Sequence, residues 1–108
     1  MKTQSAKAKG RRAAQNLRLK LLLKFPELEP DDIRVTPSGV NGPDLQLSPK
    51  AQKLFPFNIE VKNQERLNIW AALKQCLNHG AKAPLVAFTR NRDDMYVAIR
   101  LNDFLNVV

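Results

Sequence analysis

The chain has 108 residues, 44% of them hydrophobic and 26% charged, the length and composition of one folded domain with its own core. No apolar run is long enough to span a bilayer, no signal-peptide-like apolar block opens the chain, and the single Cys76 excludes an internal disulfide. A protein of the cytoplasm, nucleoid or host-cell cytoplasm, with no membrane partner, is expected. The net charge of +8 is unevenly placed: eight of the eighteen Lys and Arg residues fall in residues 1–24, where there is no acid. The other ten balance the ten acids of the rest of the chain. Such a cluster is the footprint of a polyanion binder, because neutralising phosphates releases condensed counterions. A solvated tail is the plainer alternative.

Residues 1–8 are polar and without apolar periodicity, so a flexible basic arm is expected. Ala13, Leu17, Leu21 and Phe25 then recur at helical spacing over residues 10–25. Leu19, Leu22 and Leu23 form a second arc, suited to meeting another subunit. Pro26 and Pro30 end this helix. Residues 32–36 read as a short strand, and Pro37 to Pro43 as a loop dense in turn residues. Residues 44–48 alternate polar and apolar. Ser48 and Pro49 open a helical turn as cap and first residue. Residues 57–62 alternate again, with Phe57, Ile59 and Val61 on one face. Residues 68–79 form the second main helix, with Ile69, Ala72, Leu73 and Cys76 as its stripe and Gly80 as C-cap. Two apolar strands follow, 85–89 and 95–99, then a terminal helix over 101–108 capped by Asn102 or Asp103. The expected order is α-β-β-β-α-β-β with a short C-terminal helix, an α/β chain of the α+β mixed-sheet kind.

The chemistry gathers around Asp44 and the pair Glu60 and Lys62. Side chains alternate across a strand, so Glu60 and Lys62 share a face while Val61 enters the core. If residues 44–48 and 57–62 are antiparallel neighbours, Asp44 lies near Glu60 and Lys62. Two carboxylates with one cation suit a divalent metal held against a phosphodiester. Magnesium takes hard oxygen ligands and keeps several waters, so Asp44 and Glu60, with the Val61 backbone carbonyl, suffice. Lys62 would offset charge in the transition state. Taken alone, a Glu-x-Lys arises by chance in about one chain in three of this length.

Pro43-Asp44, fifteen intervening residues, then Glu60-Val61-Lys62 resembles the PD-(D/E)XK nuclease superfamily, within it the small archaeal-type and phage Holliday junction resolvases. Lys9-Gly10 opening a basic helix, and Arg34 followed by Ser38-Gly39, are similar to theirs. The resemblance implies a restriction-endonuclease-like core and a homodimer that hydrolyses branched or junction DNA in recombination. It also implies Asp44 and Glu60 as ligands of Mg²⁺, with Mn²⁺ as substitute, and Lys62 as catalytic cation. Those resolvases complete the site with a first-helix glutamate. This chain reads Arg11-Arg12-Ala13-Ala14-Gln15 there, and Gln15 would bind a metal-held water. Gln75 and Ser38 are further supporting residues. Lys7, Lys9, Arg11, Arg12, Arg34 and Arg66 are the DNA-binding candidates.

His79 reads as a C-terminal helix residue meeting the dipole rather than as a ligand, and Cys76 as core. Three alternatives remain open: a non-catalytic nucleic-acid-binding module on the same fold, a nicking or single-strand nuclease, and an RNA-binding protein of ribosomal type.

Overall fold

The computed structural model describes residues 2–80 and 82–108, and side chains from Ala6 onward. Helix α1 spans Lys2–Lys24. The arm expected over residues 1–8 is thus helical from Lys2, and Met1 lies outside the described residues. Lys, Gln and Ala, strong helix formers, dominate this stretch, and neither Pro nor Gly interrupts it before Gly10. Ala13, Ala14, Leu17 and Leu21 are buried, whereas Leu19 and Leu23 stay exposed. Leu22 packs against the core and leaves the outer arc to Leu19 and Leu23.

A 3₁₀ turn at Pro30–Asp32 leads into β1, Ile33–Val35. Arg18 ties α1 to this corner, donating to the carbonyls of Ile33 at 2.6 Å and Pro30 at 2.7 Å. The loop that follows returns as β2, Leu45–Leu47. Gly39 and Gly42 adopt positive φ, +83° and +125°, which a side chain would resist. Ser48 then caps α2, Pro49–Leu54, accepting from the Ala51 amide at 3.1 Å, as its Ser-Pro opening suggests.

Strand β3 is Phe57–Asn63, followed by α3, Ile69–Leu77, and β4, Ala83–Thr89. Asn68 caps α3 through the Ala71 amide. Asn78 rather than Gly80 closes its C-terminus. Gly80 serves a different need, because a Cβ there would lie 2.6–2.9 Å from the Asn58 side chain. Strand β5, Tyr96–Ile99, and helix α4, Leu101–Val107, complete the chain. Arg100 is the cap of α4 in place of Asn102 or Asp103, and its Nε donates to Asp103 at 2.7 Å.

The result is an α+β domain with a five-stranded mixed sheet in the order β1-β2-β3-β4-β5 and four α-helices. The β3–β4 pair is parallel and joined through α3; the other pairs are antiparallel. On one face α1 covers Phe57, Ile59, Val61, Leu45 and Leu85. On the other, Ala72 and Cys76 of α3 bury Val86. The polar side of β3 therefore faces a helix. Asn58 is 7% exposed and Glu60 2%, in contrast to the half-exposed polar strand face of an open sheet. Among the described residues, no helix is long and apolar enough to cross a membrane.

Candidate functional site

Asp44 stands at the entry of β2, whose Leu45 lies opposite Ile59 of β3. That register brings Asp44 beside Glu60 on the face turned towards α3. Its backbone is held at both ends: its amide donates to the Ile59 carbonyl at 2.8 Å, and its carbonyl accepts from the Thr36 amide at 2.9 Å. The Val61 amide donates to Asp44 Oδ2 at 2.7 Å. A charge-assisted bond of this kind fixes the carboxylate, which also lies within hydrogen-bond reach of Glu60.

Glu60 Oε1 meets His79 Nδ1, just beyond the end of α3. Burial first, and then the negative charge of Asp44, push the Glu60 carboxyl up to about 7. The His79 hydrogen bond opposes that rise. Two residues along the same face, Lys62 Nζ donates to Gln75 Oε1 of α3 at 3.0 Å. Cys76, the core residue expected, donates its thiol to the Asn58 carbonyl at 3.3 Å, and burial pushes that thiol up.

These groups open onto a cavity of about 530 Å³. Asp44, Glu60, Val61 and Lys62 form its floor, Gln75 and His79 its α3 side, and Lys7 and Gly10 its α1 side. A second cavity of about 230 Å³ adjoins it, with Arg11, Ser38 and Gly39 on its walls. Lys7, Gly10, Val40, Asp44 and Val61 line both. Arg11 donates to Ser38 Oγ at 3.1 Å and so links α1 to the loop before Asp44.

Of the residues singled out in the sequence, Asp44, Glu60, Val61, Lys62 and Gln75 come together, with Lys7, Arg11 and Ser38 at the rim. Gln15 does not join them. It is exposed, and the helical phase that buries Ala14 and Leu17 turns Lys7, Gly10 and Ala14 towards the two cavities. Lys9, Arg12, Arg34 and Arg66 line neither cavity, and Arg34 lies 3.7 Å from Asp31 on the surface.

His79 departs most from expectation. It does sit at the helix end, but its ring contacts Glu60 within the site. Its only sequence signal was a titratable side chain at the end of the helix that follows the Glu60 strand. Among the described residues, no set of three or more His, Cys, Asp and Glu gathers as a metal cage. Asp44 and Glu60 form a two-carboxylate pair. That is the donor chemistry a hard divalent cation accepts when water completes its shell. Comparison with family models, with curated proteins and with solved structures found no match for this chain.

Proposed function

We propose that this protein is a magnesium-dependent DNA endonuclease of the PD-(D/E)XK kind, selective for branched DNA and acting as a homodimer. The observation that carries the reading is the buried Glu60 beside the half-buried Asp44, with Lys62 on the same face, open to a cavity bounded by a basic helix. Asp44 and Glu60, with the Val61 carbonyl, would hold Mg²⁺ or Mn²⁺. The raised Glu60 carboxyl supports this, since a cation between the two groups would offset both the burial and the repulsion that raise it. Bound there, the metal would activate a water and neutralise charge on the scissile phosphate.

The chain's own groups have separable tasks. The Val61 amide holds Asp44 in place, and His79 orients Glu60. Lys62, steadied by Gln75, would face the non-bridging phosphate oxygens and stabilise the charge that grows on them. Lys7 and Arg11 at the rim would engage flanking phosphates. The exposed Leu19 and Leu23 of α1 give a homodimer an apolar surface to share, and a two-fold dimer suits a two-fold junction. A restriction-endonuclease-like core is consistent with a mixed sheet that carries the carboxylates on its second and third strands.

The decisive test is cleavage of a four-way junction and of linear duplex of the same sequence in Mg²⁺. The junction is expected to be cut faster, and Asp44→Asn or Glu60→Gln to abolish cutting while binding persists. Cleavage unchanged in both variants would sink the assignment. One observation favours a non-catalytic nucleic-acid-binding module as second reading: the α1 positions turned to the cavities, Lys7, Gly10 and Ala14, carry no acid. Calorimetry that detects no Mg²⁺ or Mn²⁺ binding dependent on Asp44 would select that reading.

A further inference from the structure

The sheet register continues the candidate site sideways into a row of aromatic rings. Lys62 of β3 is paired with Phe88 of β4, and Phe88 with Tyr96 of β5. Paired residues in adjacent strands share a face, so Lys62, Phe88 and Tyr96 all project towards the α3 side. One strand spacing is ~4.8 Å, so the backbone positions of Phe88 and Tyr96 lie one and two strand spacings from that of Lys62 across the sheet. Phe88 and Tyr96 lie near each other, ring centroids 5.9 Å apart and planes inclined by 31°. Tyr96 is 54% exposed although it sits in a strand, so much of its ring is open to a ligand.

Beside these rings lies a second open cavity of about 430 Å³, floored by Leu67, Phe88 and Tyr96 and edged by Gln64, Thr89 and Asp94. Gln64 also lines the cavity that holds Asp44, Glu60 and Lys62, so the two are neighbours along one surface. Their chemistries differ. The carboxylate cavity has Lys7 and Lys62 to receive a phosphate. The aromatic one also carries Glu65, Asp93 and Asp94, which would repel a phosphate. Arg90 there is already engaged, its Nε donating to Asp93 at 2.7 Å. A π face with the Gln64 amide and the Tyr96 hydroxyl at its edge suits a flat, uncharged group with polar edges, the Thr89 hydroxyl being turned to the carbonyls of Arg90, Asp93 and Asp94.

We propose that the Phe88–Tyr96 groove is a nucleobase subsite, which receives one unpaired base adjacent to a phosphodiester held at Asp44, Glu60 and Lys62. The inference rests on the nuclease reading for its phosphodiester and deepens it by naming the substrate class. A base stacked and paired within a duplex cannot place its face on Tyr96. The preferred DNA is therefore one with a frayed, bulged or branch-point nucleotide within one step of the scissile bond. Stacking on aromatic side chains tolerates any base, because every base has a π face. Selectivity would follow from unpairing rather than from sequence.

The test uses the native protein in EDTA, so that binding is read without cleavage. The probes are a duplex carrying one unpaired 2-aminopurine and the same duplex with an abasic residue in its place. The proposal expects 2-aminopurine fluorescence to change on binding and the abasic duplex to bind about five- to a hundredfold more weakly. Tyr96→Ala should remove both effects, and Tyr96→Phe, which keeps the ring, should retain them. Equal affinity for the two duplexes, a Tyr96→Ala protein that still discriminates, or no binding to either duplex would overturn it. Cleavage in Mg²⁺ without any base effect defeats the subsite alone. Base-dependent binding without cleavage defeats the nuclease reading alone.

Discussion

The two faces of β3 are nearly equal in burial and opposite in chemistry. Towards α1, Phe57, Ile59 and Val61 are 6%, 0% and 7% exposed; towards α3, Asn58 and Glu60 are 7% and 2% exposed. The apolar face gains free energy from leaving water. The polar face incurs a desolvation cost that only specific partners offset. Each polar group there has one: Asn58 donates to the Lys82 carbonyl at 3.1 Å, Glu60 meets His79, and Lys62 reaches Gln75. A strand that sought stability alone would carry apolar side chains on both faces, as β4 does with Leu85, Val86 and Ala87. The polar face of β3 therefore depends on those specific contacts, where the apolar face depends on burial alone.

Substitutions on either side should therefore separate activity from stability. Asp44→Asn and Glu60→Gln are expected to lower Mg²⁺-dependent cleavage by on the order of 100-fold or more while the fold persists, read by junction cleavage beside a thermal melt. A parallel loss of helical signal would erase the contrast. On the other face Ile59→Ala, at a fully buried position, should cost ~2–5 kcal/mol in urea unfolding through the cavity it leaves. A cost below ~1 kcal/mol would mean that this face packs loosely.

The polar face should also leave a pH signature. The Glu60 carboxyl is raised from 4.5 to about 7, so the folded chain holds its proton more tightly than the unfolded chain does. The stability tied to that proton is complete below about 4.5 and is lost as pH rises through about 7. In EDTA the loss should be on the order of 1–3 kcal/mol, and Glu60→Gln should flatten that slope. A slope that persists in Glu60→Gln would place the proton on another group. The smallest effect belongs to α1. Gly10 is helical with nothing within 4 Å of an added Cβ, so Gly10→Ala should raise stability by ~0.5–1 kcal/mol. A fall instead would show that the cavity wall needs a bare backbone at that position.

The strands were readable because period-two alternation survives wherever one face meets a core, as at Leu45, Leu47, Ile59 and Val61. Ser48-Pro49 was readable because capping is a local event. What covers the second face of β3 was not. Alternation around Glu60 is the same whether that face meets water or a helix, and the parallel β3–α3–β4 connection decides which. The neighbourhood of Asp44, Glu60 and Lys62 followed from register. The phase of α1 followed as well from the stripe Ala13, Leu17 and Leu21, which is buried as expected and turns Gln15 outward, against the role expected of it. His79 was hidden because its contact with Glu60 spans nineteen residues and depends on where the chain turns after α3.

That turn rests on Gly80. With Asn58 side-chain atoms 2.6–2.9 Å from where its Cβ would be, position 80 has room for a hydrogen and no more. A methyl group there would press first on Asn58, whose amide holds the Lys82 carbonyl, and then on the segment that delivers His79 to Glu60. Residues 58 and 80 therefore behave as one unit of inheritance. A larger residue at 80 becomes tolerable only alongside a smaller one at 58, and drift at a position remote from the carboxylates would still be felt at them.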